Sequence, residues 1–480
     1  MNIRFILYVL GALLFIEGGL LLLPVIVALL YGEHDLLPIL YSSAIAFAIG
    51  GTFWYVNRSC SKEISKREGF VIVGTVWIVY AFFGSLPFLL SGYIPSVADA
   101  FFEAMSGFTT TGSTILGDIE ALPHGLLFWR AFMHFTGGIG ILVLCIAVLP
   151  IFGMGSMMIY QAETSNASFG GKLSPRIEDT AKHIFRIYLI LTVSCTLLYL
   201  PDMSFFDSVC HAFSTTATGG FSTKNASMGA YSVYSQYITI LFMLLGSTSF
   251  ILFFYIWKRE FKKVIHNDEF RFYLLIILVA SVFIGAGLLL HHYGVERAIR
   301  ESLFSVASII STTGYIINDY TLWSPPLWFI IFLIAFIGGC AGSTAGGLKV
   351  VRFMLLFRMI PVQIKKIIHQ NAIIQVKLNR QNVSEDRMFR TLAFFMIFLC
   401  VYTTGVFVLM ICGLNFTSAA GASIACLANS GPGLELTGPA GNFGDLSAGG
   451  KWACSFLMLF GRLELYSILI LFSPSFWRKQ

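Results

Sequence analysis

The sequence predicts an all-α polytopic membrane protein: an N-terminal helix pair, then four similar units of helix, short helix and helix, with ten transmembrane helices in all. Three observations carry this reading. Of 480 residues, 56% are hydrophobic and 12% charged, about half the roughly 25% charge of a soluble domain. Apolar runs long enough to cross about 30 Å of hydrocarbon succeed one another along the chain. Four Ser/Thr/Gly turns recur at similar spacing. A mean hydropathy of +0.79 over the whole length excludes a soluble enzyme carrying one anchor. The net charge of +6 lies in short connections, where it suits anionic lipid headgroups and not nucleic acid. Nine Cys occur singly, among them Cys145, Cys195, Cys400 and Cys454, with no CxxC pair and no His at ligand spacing, and read as small apolar fillers.

The first two runs are Ile6 to Leu30 and Leu37 to Val56. The first is too long for a signal peptide and lacks a small-x-small cleavage pattern. The others are Gly69 to Leu90, Gly125 to Phe152, Ile184 to Leu200, Tyr237 to Trp257, Phe272 to Leu290, Leu327 to Phe357, Thr391 to Cys412 and Trp452 to Phe472. With ten crossings, Arg4, Lys62-Lys66-Arg67, Lys172-Arg176, Lys258-Arg259-Lys262-Lys263, the stretch Lys365-Lys366 through Arg390, and Arg478-Lys479 share one side. The opposite connections carry few cations (Lys224, Arg297, Arg300, Lys451) and several acids, including Asp118, Glu120, Asp202 and Asp319. By the positive-inside rule both termini are cytoplasmic.

After the helix pair of residues 1–68 the chain divides into units 69–157, 158–263, 264–388 and 389–480. Each holds a short amphipathic segment: Ala98 to Thr109, Phe205 to Thr216, Ala298 to Ser311 and Phe416 to Ala428. At about 1.5 Å per residue these are too short to span and can only dip in and return. Thr109-Thr110-Thr111-Gly112-Ser113, Thr216-Ala217-Thr218-Gly219-Gly220-Phe221, Ser311-Thr312-Thr313-Gly314-Tyr315 and Asn429-Ser430-Gly431-Pro432-Gly433 follow them. Gly112, Gly220, Gly314 and Gly431 are separated by 108, 94 and 117 residues, one unit each, so the four loops are expected to converge on one axis.

Free backbone groups cost several kcal/mol in hydrocarbon, so such loops are tolerated only where they are buried in protein or line water. Four loops turning their carbonyls inward satisfy this by coordinating a cation, and Gly supplies the backbone angles a β-carbon forbids. Oxygen ligands without fixed charge suit K⁺, whereas Ca²⁺ or Mg²⁺ demands carboxylates, and no Asp or Glu occurs in the turns. The candidate ligands are Thr110, Thr111 and Gly112; Thr218, Gly219 and Gly220; Thr312, Thr313 and Gly314; and Asn429, Ser430 and Gly431. In the second loop the aromatic that follows, matching Tyr315 after Gly314, favours Gly220 over Gly219.

Ser106-Gly107-Phe108-Thr109-Thr110-Thr111-Gly112, Gly219-Gly220-Phe221-Ser222-Thr223, Ser311-Thr312-Thr313-Gly314, Asn429-Ser430-Gly431-Pro432-Gly433-Leu434 and the run Gly338 to Gly347 resemble the Trk/Ktr/HKT superfamily of K⁺ transporters, most closely its bacterial TrkH type. The resemblance covers essentially the whole chain, and the extra N-terminal pair matches the Trk branch. It implies a fourfold pore of M1-P-M2 units in the inner membrane. It also implies a homodimer and a cytoplasmic TrkA-type, NAD(H)- or nucleotide-binding regulatory partner. Each filter in the family has one key Gly, and a Ser in place of the first is associated with Na⁺ permeation; all four are Gly here. Thr218 and Ser430 stand where members commonly carry an apolar residue. K⁺ is implied as cargo, with no organic cofactor on this chain.

The eighth run, about 31 residues long, contains Gly338, Gly339, Gly342, Ser343, Thr344, Gly346 and Gly347. Five Gly in ten positions, at about 1 kcal/mol each relative to Ala, predict a broken helix. By resemblance this is a loop that obstructs the pore until it moves, with Lys349 and Arg352 placed to feel the partner. Arg462, with Glu464 two residues on, lies inside the last apolar run, where a charge faces a wet cavity or a counter-ion. By resemblance Arg462 sits in the pore below the filter; the alternative is a structural pair between helices. Glu17 and His134 read as interhelical hydrogen-bond partners, and His291, His292 and His369 as solvated. The expected function is K⁺ uptake with no enzymatic step, with a K⁺/Na⁺ or K⁺/H⁺ symporter as the alternative. A membrane enzyme is remote, because no GxSxG, HExxH or Walker A pattern occurs.

Overall fold

The computed structural model describes residues 1–60, 66–140, 177–369 and 374–478. Lys62, Cys145, Lys172, Arg176, Lys479, the second half of the run ending at Phe152 and the boundary between units at 157 and 158 lie outside them. The described chain is almost entirely helical, with one short antiparallel hairpin pairing Lys377 with Asn382 and Leu378 with Gln381.

The N-terminal helices Ile3–Leu20 and Leu22–Tyr31 pack on Leu36–Val56. The crossing is close because it is made of glycine: a Cβ at Gly11 would lie 2.6 Å from the Trp54 backbone nitrogen, and one at Gly50 2.6 Å from that of Phe15. Small residues at such a contact let two backbones approach where lipid supplies no hydrophobic drive between helices. Long helices leave Ile190, Leu278, Val282 and Phe407 exposed, a surface suited to acyl chains.

Four short, buried helices follow: Val97–Phe108, Phe205–Thr216, Val295–Ile310 and Phe416–Leu427. Ser96, Ser204 and Asn415 cap the first, second and fourth, accepting from the Asp99, Asp207 and Ser418 amides. These side chains satisfy an N–H that the helix itself cannot. Each short helix rests on the long helix before it: Lys66–Gly84, Ile177–Tyr199, Asp268–Leu290 and Glu385–Ile411. It also touches the helix after its own loop and the corresponding helix of the preceding unit. Val97–Phe108 thus packs on His124–Gly138 and Ala448–Arg462, Phe205–Thr216 on Val233–Gly246 and His124–Gly138, Val295–Ile310 on Pro325–Ala335 and Val233–Gly246, and Phe416–Leu427 on Ala448–Arg462 and Pro325–Ala335. The contacts close a cycle from the fourth unit back to the first.

Two runs expected as single helices are not. Val233–Gly246 and Phe250–Trp257 meet at a bend of 94°, and Ala448–Arg462 and Tyr466–Phe472 at 117°. The eighth run is interrupted as expected, ending at Ala335 and resuming at Val350. Among the described residues six helices are long and apolar enough to span a membrane, or eight with each bent pair taken as one. Of the other two runs, the fourth is described only as far as residue 140, with 15 residues in His124–Gly138, and the eighth is interrupted after the 11 residues of Pro325–Ala335.

Candidate functional site

The four loops repeat one backbone design. Thr110, Thr218, Thr312 and Asn429 have φ of 53°, 54°, 56° and 54°, and Gly112, Gly220, Gly314 and Gly431 have φ of 82°, 85°, 80° and 87°. Between them the amides of Thr111, Gly219, Thr313 and Ser430 donate to the carbonyls of Ser106, Ser214, Ser308 and Ala425 at 2.8–2.9 Å. A β-branched residue in the left-handed region is a genuine outlier that persists only where its surroundings over-determine it. In the second loop the glycine carrying the positive φ is Gly220, while Gly219 does not.

Neighbouring loops touch in a closed cycle. A Cβ at Gly112 would collide with the carbonyl oxygen of Gly219, one at Gly220 with that of Thr313, one at Gly314 would come within 2.5 Å of that of Ser430, and one at Gly431 within 3.0 Å of that of Thr111. The residue after each glycine reaches the preceding unit. The Ser113 hydroxyl donates to the Gly431 carbonyl at 2.8 Å, and the Tyr315 hydroxyl donates to the Phe221 carbonyl at 3.2 Å. The short helices end at this ring, so the partial negative charge of their C-termini is directed at it, a field that favours a cation.

The ring has two sides. The four glycines line a cavity of about 370 Å³ that also borders Lys224, Asn225 and Asp319. On the other side the Gly338 to Gly347 segment presses against the loops. The Thr218 hydroxyl donates to Thr344 Oγ1 at 3.2 Å, the Gly346 amide donates to Thr312 Oγ1 at 2.7 Å, and a Cβ at Gly346 would meet the Ala428 carbonyl. Arg462 donates to Thr110 Oγ1 and the Thr344 carbonyl, each at 3.2 Å, to the Gly138 carbonyl at 3.3 Å and to the Gly137 carbonyl. It thereby joins Ala448–Arg462 to the first loop, to the end of His124–Gly138 and to the glycine segment.

The glycine segment docks into the bend at 247–249. The Cys340 amide donates to the Ser247 carbonyl at 2.9 Å, Thr344 to Gly246 at 3.3 Å, and Phe250 to Gly342 at 3.0 Å. The Ala341 amide donates to Glu269 Oε1 at 2.7 Å. Gly338, Gly342 and Gly347 take φ of 75°, 74° and 74°, which accounts for the glycine content. Gly339 has no such φ, but a Cβ there would lie 2.6 Å from that of Ala345. Among the described residues the Ser343 hydroxyl bonds within the segment, donating to the Cys340 carbonyl at 2.6 Å.

A sequence profile of the TrkH family, described as a cation transport protein, matches residues 38–479. The chain belongs to the TrkH family. It is 37% identical over 487 residues to the Trk system potassium uptake protein TrkH of Salmonella typhimurium strain LT2, all of each chain being covered. The Trk system potassium uptake protein TrkG of Escherichia coli K12 is 33% identical over 486 residues, with 99% of each covered. The crystal structure of the potassium transporter TrkH from Vibrio parahaemolyticus superposes with a TM-score of 0.89 at 36% identity over the full length of both chains. These TrkH relatives are transporters and not enzymes, and among the described residues no group of three His, Cys, Asp or Glu is placed to hold a metal ion.

Charged residues gather inside the bundle around the bend at 462–466. Arg352 is buried and pairs with Glu464 at 2.6 Å, and Lys349, at φ 76°, turns its ammonium back to the Ala345 carbonyl. Arg352 closes the bend at 462–466 from inside, since Glu464 in the bundle demands a counter-ion. Among the described residues neither carboxyl oxygen of the buried Glu17 finds a hydrogen-bond partner, so its expected interhelical bond is not among their contacts. His291, His292 and His369 are exposed.

The sequence reading missed the groups behind the loops. Glu103 and Arg130, both fully buried, pair at 2.8 Å. Glu103 accepts from the Thr114 hydroxyl and the Ile115 amide, and Arg130 donates to the Ser222 carbonyl at 3.3 Å. This pair ties the chain after the first glycine to the chain after the second. A buried ion pair breaks even only when its remaining hydrogen-bonding capacity is met. The available signal was Glu103 and Arg130 standing inside apolar helices.

Proposed function

We propose that this chain is the ion-conducting subunit of a bacterial potassium uptake system in the inner membrane. It crosses ten times with both termini in the cytoplasm, and residues 69–157, 158–263, 264–388 and 389–480 each form one M1-P-M2 pore repeat. The observation that carries the reading is the closed cycle of four loops, each with a glycine at φ between 80° and 87° packed on a carbonyl of the next. Such a ring presents peptide oxygens, without carboxylates, to a dehydrated monovalent cation. Thr110, Thr111, Gly112, Thr218, Gly219, Gly220, Thr312, Thr313, Gly314, Asn429, Ser430 and Gly431 form the filter. One charge crossing 100 mV gains about 2.3 kcal/mol, so uptake needs no catalytic step.

The segment Gly338 to Gly347 with Lys349 is the gate, and Arg462 is its electrostatic latch. Its guanidinium lies under the first loop, where it opposes K⁺ occupancy while the segment is seated. A cytoplasmic TrkA-type nucleotide-binding subunit acting on a homodimer displaces the segment. The test is flux into liposomes reconstituted with the pure protein, with K⁺, Na⁺ and proton gradients imposed separately. Current that reverses at the K⁺ equilibrium potential whatever the Na⁺ and pH supports conduction. Reversal that tracks Na⁺ or protons gives the symporter, and no K⁺ flux with or without a nucleotide-binding subunit defeats both.

A further inference from the structure

In three loops the residue before the positive-φ glycine bears a hydroxyl: Thr111, Thr313 and Ser430. Thr111 Oγ1 lies 2.7 Å from Thr109 Oγ1 and accepts from Asn429 Nδ2 at 2.9 Å, and Thr313 Oγ1 lies 2.7 Å from Ser311 Oγ1. Thr111 and Thr313 thereby brace their loops from behind, whereas Ser430 Oγ has no hydrogen-bond partner among the described residues. The second loop has Gly219 there, and its positive φ is already provided by Gly220. The reason for a second glycine is steric. A Cβ at Gly219 would collide with the imidazole of His134, 2.7 Å from Cε1 and closer to Nδ1 and Cγ.

His134 belongs to the first unit, on His124–Gly138, and is fully buried. Its ring stacks on Phe221 at a centroid distance of 4.2 Å and an angle of 21°. Nδ1 lies 3.2 Å from Ser214 Oγ and accepts from the Phe221 amide at 3.4 Å. That amide can only donate, so the contact draws on the Nδ1 lone pair. One turn earlier, Arg130 places its guanidinium carbon 4.1 Å over the Phe221 ring. The imidazole therefore touches the second loop before, at and after its central residue.

We propose that His134 is a positioning residue for the second loop: its imidazole occupies the space that the missing side chain at 219 would fill, and cation discrimination depends on it. The inference rests on the reading of these loops as the filter. His134→Ala removes the brace, and Gly219→Ser drives a Cβ into the ring. Each is expected to lower the K⁺ over Na⁺ flux ratio of proteoliposomes by about fivefold. The double variant H134A/G219S supplies the kind of hydroxyl the other loops use, in space the imidazole has left, and recovers discrimination. His134→Asn, which keeps an acceptor near the Nδ1 position, falls between wild type and His134→Ala and serves if the alanine variant fails to fold. A merely structural histidine would alter yield or thermal stability with the ratio unmoved. An unchanged ratio in His134→Ala, or in His134→Asn where the alanine variant does not fold, overturns the proposal while leaving the uptake reading intact. So does a double variant no better than its worse parent. Wild-type liposomes that carry K⁺ and Na⁺ without discrimination overturn both.

Discussion

The four short loops and the Gly338 to Gly347 segment are both glycine-rich chain buried in the bundle, and they are anchored in opposite ways. Each loop is closed by the same local bond, an amide to the carbonyl five residues back in its own helix. The glycine segment takes its main anchors from elsewhere: the bend at 247–249, Glu269, Thr312 and Arg462. A local bond survives movement of the neighbours, whereas a borrowed one is lost when they shift. Opening free energies vary across a fold in this way, and the difference suits a rigid ring above a displaceable plug.

That contrast can be broken first at the ring. Gly314→Ala pays about 1–2 kcal/mol for a left-handed L-residue and drives a Cβ to within 2.5 Å of the Ser430 carbonyl and 2.8 Å of Pro432 Cδ. K⁺ uptake in a transport-deficient bacterium is expected to fall by about tenfold or more; wild-type uptake would remove the loops from the ion path. Next in size is Arg352→Met, which takes from Glu464 the cation hydrogen-bonded to it at 2.6 Å. Removing one partner of a buried pair costs about 3–5 kcal/mol, read as a lower unfolding temperature in detergent, and E464Q on the same background should recover most of it. Recovery that does not occur would show that Arg352 acts through packing against Phe394, over which its guanidinium carbon lies at 3.9 Å.

Effects under the ring are expected to be milder. Arg462→Gln weakens the bridge between Thr110 and Thr344 and should raise K⁺ flux severalfold; unchanged or lower flux counts against a latch. Gly342→Ala sharpens the comparison with Gly314, since φ is 74° but a new Cβ meets only Ser249 Oγ, at 3.4 Å. Its cost is confined to about 1 kcal/mol of backbone strain, visible as a small fall in thermal stability with flux retained. The least is expected from Glu120→Ala, which removes an exposed pair with Lys224 at 3.3 Å. Exposed pairs contribute about 0–1 kcal/mol, so stability in moderate salt should match wild type.

Three short helices were legible almost to the residue: Ala98 to Thr109 was expected and Val97–Phe108 is found, Phe205 to Thr216 agrees at both ends, and Phe416–Leu427 ends one residue early; the third starts at Val295 and not at Ala298, where no side chain caps it. Their boundaries are written in local chemistry, a cap at one end and a Thr/Gly turn at the other. The bends of 94° and 117° were not legible. Ser247-Thr248-Ser249 and Leu463-Glu464-Leu465 lie in apolar runs that favour helix, and only the docked segment in one case and the Arg352 pair in the other stabilise a break. Gly219 was visible as a residue but not as a contact, because its reason, His134, lies 85 residues earlier in the chain.

Taken alone, the sequence fixes what depends on the chain's own neighbourhood: membrane residence through apolar periodicity, the fourfold recurrence, and the glycines that left-handed backbone requires. Which carbonyl each glycine meets, which cation answers Glu464 and which ring fills the place beside Gly219 are decided only by tertiary structure. Those are interactions between units roughly a hundred residues apart, and local propensity carries no information about a partner that arrives from so far along the chain.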